Sequence, residues 1–269
     1  MLKTIREIIA YRQMIVGLVR KDLRGRYKGS VLGFLWTFIN PLLQLIIYSF
    51  VFGYIYKLKV VDGGPYYLYL FVALIPWIFF SSSVAGGSSS VLAQKDLVKK
   101  IYFPREVLPI SYVTSCFVNM LLSFIVVFIV AFFAGKTPSI PGLCCLPIVM
   151  VIEYLLGLGI AMVSSAVTVY FRDLEHILGI VCMAWMYATP IVYTPNMMTD
   201  ALKKHTKLLS IVQHVNPMYS VIEAYRKIMF YGEVPKLSTL VEALVLGVAF
   251  LFIGLLLFGI LKKHFAEEL

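Results

Sequence analysis

The amino-acid sequence predicts an all-α, polytopic membrane protein with six transmembrane helices, an N-terminal amphipathic interfacial helix, and a re-entrant helical hairpin between spans five and six. Of its 269 residues, 60% are hydrophobic and 14% are charged, whereas a typical soluble domain has roughly half apolar and about a quarter charged residues. The apolar residues form runs long enough to cross a hydrocarbon core of about 30 Å, and the charged residues lie mainly between those runs. These observations exclude an ordinary soluble domain.

Six runs of about 20 mostly apolar residues are the candidate spans. They cover residues 31–56, 66–93, 107–134, 143–171, 177–193 and 239–261. An even number of spans returns both termini to the same side of the membrane. That side carries fifteen of the 24 Lys and Arg residues, so the positive-inside rule makes it cytoplasmic. The long fifth connector supplies six of the nine on the opposite side, but long connectors are translocated largely regardless of charge.

Residues 1–30 form the predicted cytoplasmic interfacial helix, residues 31–261 the transmembrane domain, and residues 262–269 a cytoplasmic tail. On a helical wheel, the apolar side chains of the first segment share one face and the charged side chains the other. The apolar face contains Ile5, Ile8, Ile9, Ile15, Val16, Val19 and Leu23, and the polar face Lys3, Arg6, Glu7, Gln13, Arg20, Lys21 and Arg24. Such a helix lies along the cytoplasmic leaflet, and Arg12 on its apolar face extends its charge to the headgroups.

Residues 194–236 are too polar for a further span and too apolar for a free loop. Two apolar stretches, 208–212 and 218–222, flank the helix-breaking pair Asn216 and Pro217, which predicts a helical hairpin. Irregular backbone at membrane depth is tolerated only where it is buried in protein or lines a water-filled path. A re-entrant hairpin therefore indicates a conduit. A plain hairpin lying in the outer headgroups is the alternative.

The sequence contains no recognisable catalytic or nucleotide-binding site. Residues 134–137 read Ala-Gly-Lys-Thr, but a phosphate-binding loop needs a glycine at the position that Val130 occupies. The cysteines form no CxxC pair and have no histidine at metal-ligand spacing. We therefore predict a chain that is not an enzyme, has no metal or other cofactor of its own, and takes any energy for transport from elsewhere. The cysteines are Cys116, Cys144, Cys145 and Cys182.

Two cytoplasmic connectors carry more charge than a turn needs. Residues 94–106 form an amphipathic stretch with both signs of charge, which ends where Pro104 stops a helix. Residues 170–176 form a compact charged knob between two apolar helices. The connectors are either docking surfaces for a cytoplasmic partner or positive-inside loops with their helix caps. The formal net charge of +10 indicates topology signals and membrane lipids as partners, and no nucleic acid.

Six ordered stretches carry a resemblance to a known family. They read RYKGSVLGFLWTFINPLLQ from residue 26, IPWIFF from 75, KKIYFPREVLPI from 99, YFRDLEHI from 170, TPIVYTP from 189 and VNPMYSVIEAYR from 215. Together they resemble the permease subunits of ABC-2 type exporters, over nearly the whole chain. The resemblance is greatest to the branch that exports polysaccharides and polyol phosphates, namely O-antigen, capsule and wall teichoic acid. Several motifs are shared across that branch, so the individual substrate does not follow.

The resemblance implies a homodimer in a bacterial or archaeal cytoplasmic membrane. It implies two copies of a cytoplasmic ABC ATPase subunit, with ATP and magnesium on that partner, and a lipid-linked glycan or polyol-phosphate polymer as substrate. The two charged connectors are similar to the family's coupling segments, and the hairpin to its outer gate. The implied ATPase-coupling residues are Lys95, Lys99, Lys100, Arg105, Glu106, Arg172, Asp173 and Glu175, and the outer-gate residues are Asn216 and Pro217.

Aromatic side chains on the first and fifth spans are the candidate walls of a substrate channel. They are Trp36, Tyr48, Phe52, Trp185, Tyr187 and Tyr193. The C–H faces of sugars pack on rings, and weak contacts of similar strength suit a polymer that must slide. Aromatic residues of the membrane interface are the alternative, chiefly for Trp36, Tyr187 and Tyr193 near the span ends.

Glu153 lies within the fourth span, where an ionised carboxylate costs at least about 2.5 kcal/mol. It is either a proton-coupling site or a protonated, hydrogen-bonded structural residue. Residues 81–90, rich in Ser and Gly, either line a hydrated path or allow close helix packing. A proton-coupled secondary transporter would need paired intramembrane ionisable groups and usually internal repeats, and the sequence shows neither. An ABC-2 exporter of a drug or small lipid is the nearer alternative.

Overall fold

A computed structural model describes residues 2–26, 29–58, 64–203 and 205–268. Within these ranges the chain is helical and contains no strand, which confirms the predicted all-helical class. The helices are α1 (Leu2–Ala10), α2 (Arg12–Gly25), α3 (Trp36–Tyr48), α4 (Tyr66–Ser81), α5 (Lys95–Lys100), α6 (Val107–Phe133), α7 (Ile140–Tyr170), α8 (Leu174–Ala188), α9 (Pro195–Ala201), α10 (Thr206–His214), α11 (Pro217–Met229), α12 (Leu237–Leu261) and α13 (Phe265–Glu268). Lys28, Lys59 and Lys204, counted above for the topology, lie outside the described residues.

Within the described ranges, five helical segments are long and apolar enough to cross a membrane. They are Gly33–Ile55, Tyr66–Gly86, Val107–Phe133, Ile140–Tyr170 and Leu237–His264. The remaining predicted span, 177–193, corresponds to α8, whose 15 residues give a length of about 22 Å. α8 ends at Ala188 because Thr189 precedes Pro190, which disfavours the helical conformation; Thr189 is extended, with φ −103° and ψ 134°. Six spans therefore stay a prediction.

Both ends of the chain lie at one end of the helical bundle, which we call the terminal face. The hydroxyl of Tyr170, the last residue of α7, donates to the carbonyl oxygen of Leu261 at 2.8 Å. Lys21 Nζ donates to Gln94 Oε1 at 3.3 Å. These contacts join α2 and the end of α12 to the two charged connectors. The terminal face consists of α1, α2, residues 94–106, residues 171–176 and α13.

The opposite end of the bundle, which we call the far face, gathers α9, α10, α11 and the connectors on either side of them. The hydroxyl of Tyr66, at the start of α4, donates to the carbonyl oxygen of Val192 at 2.6 Å. Lys136 Nζ, after α6, lies 5.4 Å from the centre of the Phe230 ring. The segment predicted as a hairpin contains three helices. Pro217 is the first residue of α11, and the side chain of Asn216 caps that helix.

The predicted interfacial helix consists of two helices, and α2 packs on the protein. The hydroxyl of Ser115 in α6 donates to Asp22 Oδ2, and a guanidinium nitrogen of Arg26 lies 3.3 Å from Cys116 Sγ. Arg26 also forms an ion pair with Asp22 at 2.8 Å. A helical wheel shows that the segment has two faces, but it does not show that α6 supplies polar partners for the end of α2.

Glycines allow α7 and α12 to approach at backbone distance. A methyl group on Gly254 of α12 would lie 2.4 Å from the carbonyl oxygen of Gly159 of α7, and one on Gly247 would lie 3.2 Å from the carbonyl oxygen of Ile152. Small residues of this kind are typical of membrane helix pairs, because close backbones maximise van der Waals contact. The α7–α12 pair runs from the far face to the terminal face and so connects the two.

Candidate substrate path and docking surface

The connector 94–106 and the end of α12 hold each other at the terminal face. Lys262 Nζ lies 2.5 Å from Glu106 Oε1, and Glu106 is 1% exposed. The guanidinium of Arg105 donates to the carbonyl oxygen of Lys262 and lies 5.7 Å from the centre of the Phe265 ring. Glu106 Oε2 is buried without a hydrogen-bond partner. Arg105 and Glu106 therefore brace the connector within the chain, and their contact with a partner stays a prediction.

The other six predicted coupling residues are exposed on the terminal face. None of them forms an ion pair within 4.0 Å with another residue of the described ranges. Exposed charges without an internal partner can pair with charges of another protein, which gives orientation and specificity to a contact. The six are Lys95, Lys99, Lys100, Arg172, Asp173 and Glu175.

Exposed apolar side chains lie among these charges, and the sequence reasoning did not identify them. Tyr102 is 95% exposed, and Ile101 and Phe171 are also exposed. Aromatic side chains surrounded by polar groups are typical anchors of protein interfaces. The sequence could have revealed them, because they are large apolar residues that lie in charged connectors.

The predicted channel residues of the first span lie on one ridge with two amides. Trp36, Asn40, Gln44, Tyr48 and Phe52 follow one another at every fourth position, so each lies beside the next on the helix surface, in a row that is inclined to the helix axis. We call this row the α3 ridge; Phe52 lies just beyond α3, in the π-helical segment Ser49–Ile55. Asn40 and Gln44 are exposed, and the rings of Tyr48 and Phe52 lie 6.3 Å apart. Exposed amides are costly in lipid. The ridge therefore faces water or protein, and its four-residue spacing could have revealed both amides.

The aromatic residues predicted near the span ends have local hydrogen-bond partners. Trp36 Nε1 donates to Ser30 Oγ at 2.9 Å, and the Tyr193 hydroxyl donates to the carbonyl oxygen of Tyr187 at 2.6 Å. The ring of Tyr187 is exposed.

Trp185 and Asn216, predicted separately as channel and gate residues, form one hydrogen-bonded group. Asn216 Oδ1 accepts from Trp185 Nε1 at 2.9 Å and from the backbone amide of Met218 at 3.1 Å, while Asn216 Nδ2 donates to Thr189 Oγ1 at 2.9 Å. The Trp185 ring packs edge-on against Phe80, with centroids 5.0 Å apart. This group ties the end of α8 to the start of α11.

A cavity of about 400 Å³ opens between α3, α4 and α6, beside the ridge. Asn40, Gln44 and Asn119 line it, together with the side chain of Arg26 towards the terminal face. Asn119 Oδ1 is buried without a hydrogen-bond partner. A polar cavity of this size has room for water. The ridge and the cavity together provide polar groups along much of α3.

Comparison with known proteins identifies the family. The family model for the ABC-2 type transporter matches residues 13–230. This chain belongs to the ABC-2 type transporter family. It is 32% identical to the O-antigen export system permease protein RfbA of Myxococcus xanthus, over 100% of both chains. It is also 32% identical to the protein of that name from Klebsiella pneumoniae, over 95% of both chains. The polysialic acid transport protein KpsM of Escherichia coli is 23% identical, over 91% of this chain and 92% of that protein.

The match to the ABC-2 type transporter family covers both charged connectors, the α3 ridge and most of the hairpin segment. It begins at the start of α2 and ends just beyond α11, so α12 lies outside it. The alignment with the Myxococcus xanthus permease includes α12 as well. The brace between Glu106 and Lys262 therefore joins a part of the chain inside the family match to a part outside it.

Glu153 of this ABC-2 chain has a partner on α11. It is fully buried, and its Oε2 accepts from the hydroxyl of Tyr225 at 2.7 Å, while Oε1 has no hydrogen-bond partner. No basic side chain of the described ranges lies within ion-pair distance. The contact favours the hydrogen-bonded structural alternative for Glu153. Within the same ranges, no group of three or more His, Cys, Asp or Glu residues could hold a metal ion.

Proposed function

We propose that this chain is the transmembrane permease subunit of an ATP-driven exporter that moves a lipid-linked polysaccharide, or a teichoic-acid-like polymer, across the cytoplasmic membrane. Relatives that align over most or all of the chain are named for O-antigen export and for polysialic acid transport. The observation that carries the proposal is the α3 ridge, because two amides flanked by aromatic rings suit a chain of sugars. Hydroxyl groups can bond to the amides, and C–H faces can contact the rings.

The conduit is proposed to form between two copies of the chain. In a single copy, Asn40 and Gln44 are exposed and so is Tyr187, so one copy does not enclose the ridge. A second copy facing it would place two ridges on either side of a polymer. Tyr48 and Phe52 would contact the moving sugars, while Trp185, which is bonded to Asn216, would hold the outer gate in position.

The energy is proposed to come from two copies of a cytoplasmic ABC ATPase, with ATP and magnesium bound to those subunits. The exposed charges of residues 95–100 and 172–175, together with the exposed aromatic ring of Tyr102, form the proposed docking surface. Arg105 and Glu106 link this surface to the end of α12 through Lys262. A movement of the docked ATPase would therefore reach α12 as well as the connectors.

The membrane placement is proposed to include six spans, with both termini cytoplasmic and α1 and α2 at the cytoplasmic membrane surface. The re-entrant position of α11 is supported by Tyr225, which reaches Glu153. Glu153 lies 13 residues into the 31-residue α7, or about 20 Å from its far-face end. Cysteines introduced at Lys136 and Lys203, in a background without the native cysteines, should react with an impermeant thiol reagent added to intact cells. Labelling of Asp96→Cys instead would contradict this orientation.

The proposed function is tested by export of the polymer in a host whose own permease gene has been deleted. The chain is expressed with its ATPase, and surface polysaccharide and ATP hydrolysis are measured separately. The double substitution Tyr48→Ala and Phe52→Ala should reduce export at least ten-fold while ATP hydrolysis persists. The matched control is Phe50→Ala with Tyr54→Ala, which removes an exposed, stacked ring pair whose centroids lie 5.7 Å apart on the same segment but off the ridge.

The comparison between the two ring pairs decides the role of the ridge. Equal export by both double variants would contradict a ring-lined path. Failure of the unmodified chain to restore surface polysaccharide, with efflux of a lipophilic compound instead, would favour the drug or small-lipid alternative. Tyr48→Phe should export better than Tyr48→Ala, because it keeps the ring face and loses only the hydroxyl.

A further inference from the structure

A second cavity lies on the far face, away from the α3 ridge. Its volume is about 510 Å³, and it opens between the start of α4, the connector after α8, and α11. Pockets of a few hundred Å³ with several convergent polar groups are typical of small-ligand sites. The residues that give this cavity its chemistry are Tyr219, Glu223, Arg226, Lys227, Tyr231 and Glu233.

Arg226 forms the inner wall of the cavity and keeps one donor without a partner. It is 3% exposed, and its guanidinium donates to the carbonyl oxygens of Pro190 and Ile191 at 2.5 and 2.7 Å. The guanidinium carbon lies 3.7 Å from the centre of the Tyr69 ring. Arg226 Nε is buried without a hydrogen-bond partner, and no carboxylate of the described ranges lies within 4.0 Å of the guanidinium. The two carbonyl oxygens satisfy part of this buried cation, and Nε keeps an unused donor, which is costly to bury.

The remaining groups balance this charge and add flat surfaces. Lys227 Nζ lies 2.7 Å from Glu233 Oε2 and 4.9 Å from the centre of the Tyr231 ring. Glu223 lines the cavity without an ion pair in the described part of the chain. Two acidic and two basic side chains therefore line the cavity together with tyrosine rings. Carboxylates accept hydrogen bonds from hydroxyl groups, cationic nitrogens donate to hydroxyl oxygens, and rings contact C–H faces.

We propose that this far-face cavity is a binding site for a neutral saccharide unit, distinct from the sliding path along α3. The donors, acceptors and rings converge as a hydroxyl-rich ring requires, and the balanced charge of the lining disfavours an acidic sugar. The inference rests on the proposed function, since it assigns to the exported polymer a contact at the outer mouth. A sugar held there would oppose the return of a polymer that has already passed the gate.

The test measures binding directly, on the full-length permease in lipid nanodiscs without nucleotide. The probes are oligosaccharides of one to four repeat units, released from the neutral surface polysaccharide that the host strain exports. Saturation-transfer NMR should detect binding to the unmodified protein. Glu223→Gln and Tyr231→Leu should each weaken binding and raise the dissociation constant at least ten-fold. The control Asp200→Asn makes the same chemical change as Glu223→Gln at an exposed far-face carboxylate outside the cavity, and it should bind as the unmodified protein does.

Each result bears on the proposal. Tyr231→Phe keeps the ring and should bind within about three-fold of the unmodified protein, which separates a lost ring contact from a misfolded cavity. No saturation transfer with the unmodified protein, or equal binding by Glu223→Gln and Asp200→Asn, would overturn the site. Stronger binding of tetragalacturonate than of the neutral probes would overturn its assignment to neutral sugars. If export is restored but no binding is detected, the binding site is contradicted and the proposed function is retained. If export is not restored, the proposed function itself is contradicted.

Discussion

The two faces of the bundle use charged side chains in different ways. On the terminal face, Arg172 and Asp173 are exposed and have no ion-pair partner in the described part of the chain. On the far face, Arg226 is buried and donates to two backbone carbonyl oxygens. The first arrangement leaves charge available to another protein, whereas the second uses charge to hold the chain together.

The difference follows from the unpaired backbone carbonyl groups that lie on each face and need hydrogen-bond donors. The helix α8 ends at Ala188, and the next residues, including Pro190 and Ile191, are not helical. Their carbonyl oxygens cannot be paired within a helix, and a buried carbonyl without a donor is costly. Arg226 supplies donors to both carbonyls. The exposed connectors of the terminal face have water for the same purpose and need no buried cation.

The largest expected loss of stability in this comparison comes from removing the buried cation. Arg226→Met keeps much of the side-chain volume but removes both hydrogen bonds and the contact with Tyr69, so the free energy of unfolding should fall by about 3 kcal/mol. Arg226→Lys should be intermediate, because a single ammonium cannot match the fork of a guanidinium. Denaturant unfolding of the purified protein measures both. A change of less than about 1 kcal/mol for Arg226→Met would show that the connector does not depend on it.

The next effect concerns the one buried carboxylate among the predicted coupling residues. Glu106→Gln should lower the free energy of unfolding by about 1–2 kcal/mol, because it removes the charge that pairs with Lys262 while retaining the shape. The matched control is Glu175→Gln, an exposed carboxylate of the same face, which should change stability by less than about 0.5 kcal/mol. Equal effects of the two substitutions on the free energy of unfolding would show that the ion pair of Glu106 with Lys262 does not stabilise the fold.

Local features of the sequence located most of the long helices but not the contacts between them. The apolar runs correctly predicted that α4 starts at Tyr66 and α6 at Val107. A single apolar segment that crosses a membrane must pair its own backbone polar groups, and a helix does so. The early end of α8 could have been inferred from Pro190 and was not. The packing of α2 on α6 could not be inferred, since the ion pair and hydrogen bonds of Asp22 and Arg26 need the tertiary fold.

The candidate site shows the same limit. The family resemblance marked Glu106 for an external contact, but its partner within the chain, Lys262, lies 156 positions away. Trp185 was predicted as a stacking platform because it lies within an apolar run, and its bond to Asn216 depends on where α11 folds back. Asn40 and Gln44 were the opposite case, since their spacing from Trp36 and Tyr48 is visible in the sequence alone.

A smaller effect tests whether Trp185 positions the gate. Trp185→Phe keeps an aromatic ring but removes the hydrogen bond to Asn216 Oδ1, and we expect it to cost about 1 kcal/mol. In a double-mutant cycle with Asn216→Ala, the two changes should be less than additive, because both remove the same bond. Tyr48→Phe combined with Asn216→Ala is the control cycle and should be additive. Additivity in both cycles would show that Trp185 and Asn216 act independently, and Trp185 would then remain a predicted stacking platform.

The smallest effect on stability should accompany a large effect on transport. Reversing Arg172→Glu together with Asp173→Lys changes two exposed charges that make no ion pair in the described chain, so the free energy of unfolding should stay within about 0.5 kcal/mol. If these charges meet the ATPase, their reversal places like charges against its surface and should uncouple ATP hydrolysis from export. The matched control swaps the exposed far-face pair, Asp200→Lys with Lys203→Asp, whose charged groups lie 2.6 Å apart. That swap should affect neither stability nor coupling, because the proposed docking surface for the ATPase lies on the terminal face. Normal export by the terminal-face reversal, with the ATPase still bound, would mean that the knob is a positive-inside turn and that docking relies on residues 95–102 alone.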